Sequence, residues 1–283
     1  MKLAIITDST SDLTAEELQS LQVEAVPLHV NFKGKTWKDW AEISPADIIS
    51  GVKAGADLPS TSQPSPAEFA DAYARAVEAG AEEILVITIS SKISGTFQSA
   101  NIAAEDAGVP VTVFDSLAAS LGHGSMVRVA SRMRGADASL EEILAAIAKI
   151  RDTNFLVFTV GNLEFLQKNG RIGRASAFLG GLLSVKPLLT LDNGVVGLLS
   201  RARGIKKAQQ EMVNRLKEYV SSQAGPVVLH LLHVQDPAAA EGLREAIDAA
   251  GIEYEFGGYH EIGAVIASHA GPNTFGYYTH VAI

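Results

Sequence analysis

The 283-residue sequence contains no cysteine, and this absence excludes disulfide bonds, thiolate metal sites and cysteine nucleophiles. Aromatic residues are few, at 6%, although hydrophobic residues reach 47%, which is typical of a globular protein. No apolar run approaches the roughly 20 residues that span a bilayer. The first acidic residue, Asp8, comes too early for the apolar stretch of a secretory signal. We therefore expect a folded cytoplasmic protein without a membrane segment.

Basic residues are also fewer than acidic residues. The chain has 23 Lys and Arg against 32 Asp and Glu, a formal net charge of −9 with neutral histidines. A nucleic-acid-binding protein needs an excess of basic groups to attract phosphates. The composition therefore predicts no nucleic-acid partner.

The first part of the chain alternates short apolar runs with helical patterns, which is typical of α/β units around a parallel sheet. Residues 84–89 and 111–114 are continuous apolar runs, as in strands covered by helices on both faces. Capping-box patterns at 14–17 and 139–142 predict helix starts. Further starts are expected at Ser44 and Ser65, each followed by proline. We predict a largely parallel, doubly wound sheet.

The second half reads differently. A hairpin is predicted around Asn193-Gly194, because this pair suits the positive dihedral angles of a tight turn. Residues 205–220 and 238–249 are predicted helices, residues 227–234 a strand, and the glycine-rich tail strand-like. We expect two α/β domains, residues 1–153 and 154–283, the second with a mixed sheet. Residues 23–32 and 36–40 are expected to form a hairpin in the first.

The common cofactor-binding and catalytic motifs are incomplete or missing in this sequence. Gly34-Lys35-Thr36 resembles the end of a P-loop, but His29 stands where the leading glycine belongs. Ser94 lacks the flanking glycines of a nucleophile elbow. His230 and His233 are three residues apart on a predicted strand, so their side chains point to opposite faces. The sequence therefore predicts no cofactor, no metal and no catalytic residue.

Hydroxyl-rich loops follow several predicted parallel strands. They occupy residues 7–11, 90–96 and 115–116, at the sheet edge where open α/β proteins bind ligands. The loop at 90–96 also opens a helix, whose amide groups favour an anion such as a carboxylate or phosphate. The alternative is that these hydroxyls only cap helices.

Two other features are candidates for an anion site. His269 lies between small residues after what we take to be an apolar strand, and an imidazole with a pKa near neutrality suits an acidic ligand. Basic residues cluster at 168–174 and 201–207. These clusters are either solvated faces or a local positive surface for a phosphate or an acidic partner.

Taken in order, these residues resemble the DegV family, the fatty-acid-binding proteins that serve bacterial fatty acid kinase. The resemblance spans nearly the whole chain and rests on Thr7-Asp8-Ser9, Thr61-Ser62-Gln63-Pro64-Ser65, Ile93-Ser94-Gly95-Thr96-Phe97-Gln98-Ser99-Ala100, Gly170-Arg171-Ile172 and His269-Ala270-Gly271-Pro272. It implies two α/β domains with a lipid between them.

The resemblance also implies roles for particular residues. Thr61 and Ser94 would hold the fatty-acid carboxylate, with His269 nearby. The supporting ligand loops would be formed by Ser62, Gly95, Thr96 and Gly271. A separate ATP-dependent kinase would act on the carboxylate, and its contacts or the transferred phosphate would involve Arg171, Arg174, Arg201 and Arg203.

Two other functions remain open at this point. One is an acyl or phosphoryl ester hydrolase with Ser94 as nucleophile and His269 as base, although no acidic residue is placed by the local sequence to orient His269. The other is a carrier for a different small anion.

Overall fold

The computed structural model describes residues 2–178 and 185–283. Its strands are β1 (Leu3–Asp8), β2 (Val23–Val26), β3 (His29–Phe32), β4 (Lys35–Lys38), β5 (Ser60–Ser62), β6 (Glu83–Thr88), β7 (Val111–Asp115), β8 (Phe155–Thr159), β9 (Val185–Asp192), β10 (Val195–Arg203), β11 (Val227–His233), β12 (Glu255–Glu261) and β13 (Phe275–Val281).

The helices alternate with these strands through much of the chain. They are α1 (Ala15–Leu21), α2 (Pro45–Lys53), α3 (Pro66–Glu78), α4 (Thr96–Ala104), α5 (Leu121–Gly135), α6 (Leu140–Thr153), α7 (Glu164–Lys168), α8 (Ile205–Ser222), α9 (Pro237–Ala249) and α10 (Ala264–Ala270). None of these helices, within the described ranges, combines the length and the hydrophobicity that a bilayer-spanning segment needs.

The first half forms the predicted parallel sheet. Its four strands are ordered β2-β1-β6-β7, and every neighbouring pair is parallel. Successive side chains of β1 enter different cores, Ile5 packing with α5 and α6 and Ile6 packing with α3 and α4. Helices therefore cover both faces of the sheet, which confirms the doubly wound prediction and explains the uninterrupted apolar runs.

The predicted helix starts are confirmed by their caps. Thr14, Ser44, Ser65 and Ser139 each accept a hydrogen bond from the amide three residues on, where an acidic side chain bonds back to the cap. These reciprocal bonds satisfy amides that a helix terminus leaves without intrahelical partners. They are local, which is why the sequence shows them.

The hairpin predicted for 23–32 and 36–40 is only partly right. β3 and β4 form an antiparallel pair, but β2 belongs to the parallel sheet beside β1. Pro27 separates β2 from β3, and a proline cannot donate to a strand ladder. β3 also pairs with β5, where Thr61 lies opposite Val30, so a small sheet of three strands ordered β4-β3-β5 results.

The second half contains a mixed sheet of six strands, ordered β10-β9-β8-β13-β11-β12. The predicted hairpin is confirmed, since β9 and β10 are antiparallel and Asn193 and Gly194 have φ values of 48° and 78°. One sheet face packs against α8 and α9. The other face, which includes Phe158, contributes to a core that also contains Val30 from the first half.

The apolar strand expected before His269 is wrong. Residues 264–270 form α10, and His269 lies in its last turn. The run Ala264-Val-Ile-Ala is ambiguous between strand and helix by periodicity alone. The decision comes from distant side chains: Asp12 accepts from the amide of Gly263, and Asp39 from that of Val265.

Candidate ligand-binding site

A cavity of about 250 Å³ lies between the two halves of the chain. Most of its wall is apolar and comes from loops after parallel strands, from the six-stranded sheet and from α10. The apolar lining is Ile89, Ile93, Ala119, Leu156, Phe158, Leu166, Leu191, Val196, Leu232, Ile262, Val265, Ile266 and Ala270. The polar lining is Thr61, Ser62, Gln63, Ser94, Ser120, Arg171, His269 and Thr274.

Thr61 and His269 meet in this cavity although they are 208 residues apart. Thr61 lies on β5 and His269 in the last turn of α10, and Thr61 Oγ1 is 2.8 Å from His269 Nε2. The other ring nitrogen, Nδ1, is buried and has no hydrogen-bond partner among the described residues. Burial, with a contribution from the charge of Arg171, lowers the pKa of His269 to about 4. The imidazole is therefore neutral near pH 7, with one donor and one acceptor nitrogen.

Ser94 lies in the loop between β6 and α4 and contributes a second hydroxyl to the cavity. Its Oγ is 2.8 Å from Thr96 Oγ1, and it accepts a 3.4 Å bond from the Thr96 amide. The N-cap residue of α4 is Gly95, and no side-chain cap is present. Ser94 therefore does not serve as the N-cap of this helix.

Two glycines permit close approaches around these polar groups. A Cβ on Gly95 would lie 2.3 Å from Nε2 of Gln63, at the flexible end of that side chain, so the Ser94 loop lies against the side chain of Gln63. Gly271, at the end of α10, has φ +74°, and its Cβ would lie 2.7 Å from the Phe165 ring. Neither glycine belongs to the cavity lining, and the supporting role predicted for both stays a prediction.

The four predicted arginines occupy different environments. Arg171 lines the cavity, and its guanidinium donates to the carbonyl oxygens of Ile93 at 3.1 Å and Asn169 at 2.7 Å. Arg174 pairs with Asp192 at 2.8 Å, and Arg201 and Arg203 are exposed at the end of β10. The structure brings only Arg171 together with Thr61, Ser94 and His269.

Sequence reasoning missed the apolar lining and the polar side chains of Gln63, Ser120 and Thr274. A signal existed for part of the lining: Leu191 and Val196 are cross-strand partners beside the predicted hairpin turn, where a shared apolar face is expected. No local signal identifies Leu156, Leu232 or Ile262, because apolar residues on strands and loops look alike whether they face a core or a cavity.

The geometry differs from that of a hydrolase. A serine nucleophile needs a hydrogen-bonded base, and the base needs a third group to orient it. In the described part of the chain His269 Nε2 pairs with Thr61, Ser94 Oγ pairs with Thr96, and His269 Nδ1 has no carboxylate partner. The arrangement instead offers hydrogen-bond donors to a ligand with an apolar body and a polar head.

Comparison with known proteins identifies close relatives. The model of a family described as "Uncharacterised protein, DegV family" matches residues 2–280. A DegV domain-containing protein of Deinococcus radiodurans is 44% identical over 276 residues, which cover 98% of this chain and 97% of the relative. A protein of Thermotoga maritima named as a fatty acid-binding protein is 31% identical over 287 residues, covering 98% of this chain and 97% of that protein.

Solved structures give the same result. A DegV family protein from Thermus thermophilus, described for its fatty acid binding, superposes with a TM-score of 0.95 at 43% identity, and 100% of each chain is covered. DegV from Bacillus subtilis, described as a fatty acid binding protein, superposes with a TM-score of 0.87 at 30% identity, again over 100% of both chains. The fold of this chain has thus already been observed in solved structures of DegV proteins.

Proposed function

Since the chain belongs to the DegV family, we propose that it binds a long-chain fatty acid and presents the carboxylate to a separate ATP-dependent fatty acid kinase. The observation that carries this proposal is that one cavity combines a mostly apolar wall with the polar side chains of Thr61, Ser94, His269 and Arg171. The fatty-acid-binding relatives from Thermus and Bacillus, which share the fold over their full length, support the same ligand.

The apolar wall supplies most of the affinity. Burying a chain of about 14 methylenes at ~0.8 kcal/mol each gives roughly 11 kcal/mol of gross transfer free energy before the costs of binding. The apolar part of the lining is aliphatic except for Phe158, so it offers many contacts to a hydrocarbon chain. A ligand with such a tail would be retained, and the polar group would need only to orient it.

The carboxylate is an acceptor with no proton to donate, so it needs donors. The hydroxyls of Thr61 and Ser94 can each donate one hydrogen bond. The tautomer of His269 decides which group donates. With Nε2 protonated it donates to Thr61, whose hydroxyl then donates to the ligand; with Nδ1 protonated, Nε2 accepts from Thr61, and Nδ1 is a donor without a partner among the described residues. Among the described residues no lysine lines the cavity, and the guanidinium of Arg171, which does, donates to the carbonyl oxygens of Ile93 and Asn169.

Presentation to a kinase requires the carboxylate to be reachable from outside. A second, open groove is lined by Ser91, Lys92, Ser94, Gly95, Gly170 and Arg171, among others, so Ser94 and Arg171 border both this groove and the cavity. In the proposal a phosphoryl donor approaches through the groove, and Arg171 stabilises the negative charge of the transferred group.

The remaining parts of the proposal concern the surroundings. Arg174, Arg201 and Arg203 would contact the kinase, the phosphorylation would take place in the cytoplasm, and residues 1–153 and 154–283 would be domains enclosing the lipid. Ser62, Gly95, Thr96 and Gly271 would shape the carboxylate site. None of these side chains would act as a catalytic residue, because the acid itself is the nucleophile and the kinase supplies ATP.

Native mass spectrometry of protein freshly purified from bacteria tests the ligand. We expect a bound mass that corresponds to a long-chain fatty acid, and transfer of phosphate to that acid when a cognate kinase and ATP are added. A bound anion of another class would support the alternative carrier. Turnover of an acyl ester that is lost in Ser94→Ala would replace the proposal with a hydrolase.

A further inference from the structure

Helix α10 forms one wall of the cavity along its whole length. Val265 and Ile266 come from its first turns, and His269 and Ala270 come from its last. The helix has only 7 residues and no side-chain cap of its own. Isolated helices of this length are unstable, so the place of His269 depends on what holds α10 from outside.

Asp39 holds the first turn of α10. Its Oδ1 accepts from the Val265 amide at 3.1 Å, and its Oδ2 accepts from Ser9 Oγ at 2.8 Å. Ser9 Oγ in turn accepts from the Leu28 amide at 3.0 Å, so the carboxylate is tied to the edge of the parallel sheet. The side chain is buried, with 2% of its surface exposed.

Asp12 holds the residue before α10 and a second wall of the cavity. Its Oδ1 accepts from the Gly263 amide at 3.1 Å, and its Oδ2 accepts from Ser120 Oγ at 2.5 Å. Ser120 lines the cavity and has an unusual φ of 54°. Asp12, which is 3% exposed, therefore connects the start of α10 to the segment between β7 and α5.

Burying two carboxyl groups at the start of a short helix costs desolvation free energy. By contrast, four helices of the described chain, α1, α2, α3 and α6, begin with a serine or threonine cap at the surface and an acidic side chain three residues later. Asp12 and Asp39 have no cationic partner among the ion pairs of residues 2–178 and 185–283. The charge of Asp39 disfavours ionisation of Asp12, and that of Asp8 disfavours ionisation of Asp39. Burial raises the pKa of Asp12 to about 8 and that of Asp39 to about 7. Their hydrogen bonds connect the start of α10 to segments that are distant in sequence, which a cap from a neighbouring residue could not do.

We propose that Asp12 and Asp39 are positioning residues for the ligand: they hold the start of α10 and thereby the positions of Val265, Ile266 and His269 relative to Thr61. Neither carboxylate lines the cavity, so neither touches the ligand. The inference rests on the proposed fatty-acid binding for its affinity readout, but not for its spectroscopic one.

The first test compares Asp39→Ala with Asp39→Asn. Asparagine keeps an oxygen that can accept from the Val265 amide, whereas alanine leaves that amide without its partner. We expect palmitate to bind about tenfold more weakly to Asp39→Ala and within about threefold of the wild type to Asp39→Asn. Glu142→Ala is the matched control, because it removes an acidic cap partner from α6, away from the cavity.

The second readout is the imidazole NMR signal of His269, assigned by its loss in His269→Gln. We expect it to shift in ligand-free Asp39→Ala and to keep its wild-type position in Asp39→Asn and Glu142→Ala. A loss of stability alone would not shift the signal of the folded state. An unshifted His269 signal or an unchanged palmitate affinity in a folded Asp39→Ala protein would overturn the proposal.

A measurement on the wild type keeps the test decisive if Asp39→Ala does not fold. Coupling between two sites is reciprocal, so palmitate should slow hydrogen exchange of the Gly263 and Val265 amides, which bond to the carboxylates and not to the ligand. Unchanged exchange at these two amides in the palmitate complex would refute the role. If palmitate does not bind the wild type at all, the proposed function fails, and the His269 comparison then decides the positioning role by itself.

Discussion

Replacing Thr61 by valine tests the centre of the proposed carboxylate site. Valine has nearly the same shape and suits a β-strand, so β5 should keep its pairing with β3. The substitution removes the hydroxyl that lies 2.8 Å from His269 Nε2 and that, in the proposal, donates to the ligand. The change is therefore limited to hydrogen bonding.

The magnitude follows from the charge of the ligand. A hydrogen bond to a charged group contributes about 1.5 to 3 kcal/mol, so the dissociation constant for palmitate should rise about 10- to 150-fold. The protein should also lose about 1 to 3 kcal/mol of unfolding free energy, because His269 Nε2 is left buried without its partner.

Palmitate titration by calorimetry and urea denaturation on the same preparations measure both effects. Thr159→Val is the matched control: Thr159 is a buried threonine on β8 whose Oγ1 has no partner in the described structure. Strand alternation places its side chain with Val157 on the sheet face away from the cavity-lining Phe158. A normal palmitate affinity in Thr61→Val, with stability reduced, would show that Thr61 only supports His269 and would refute the carboxylate assignment.

Four further predictions use the same assays. Ser94→Ala should weaken palmitate binding about tenfold and slow phosphorylation by the kinase, and unchanged values of both would remove Ser94 from the site. Arg203→Ala should retain bound fatty acid yet support slower phosphorylation, whereas lost lipid with a normal rate per loaded molecule would place Arg203 at the ligand. The unfolded chain protonates His269 near pH 6.5 and the folded one only at about 4, so the contribution of His269 to the unfolding free energy of the ligand-free protein should fall as pH drops through this window. In urea titrations that fall should be smaller in His269→Gln, and an identical pH dependence would contradict the lowered pKa. Gly271→Ala should cost more than about 1 kcal/mol of stability and weaken palmitate binding, because of its positive φ and the contact with Phe165, and a neutral result would contradict the strained geometry.

Several parts of the fold could be read from local pattern. The capping boxes, the continuous apolar strand at 84–89 and the turn at Asn193-Gly194 each depend on residues within a few positions of one another. The predictions that failed concern segments whose secondary structure depends on contacts with residues distant in sequence. The apolar run at 264–267 lies in a helix, at whose start Asp12 and Asp39 from the first half accept hydrogen bonds from the amides of Gly263 and Val265. β2 pairs with β1 and not with the predicted hairpin partner.

The sequence alone determined the fold class, since apolar periodicity and capping are properties of neighbouring residues. Together with the family resemblance, it also named Thr61, Ser94 and His269 as candidates. Only the tertiary structure decided that Thr61 bonds to His269 across 208 residues, that Arg171 alone of the four arginines lines the cavity, and that Asp12 and Asp39 hold α10. The physical reason is that a cavity and its buried hydrogen bonds exist only once distant segments pack, and no spacing along the chain encodes their separation in space.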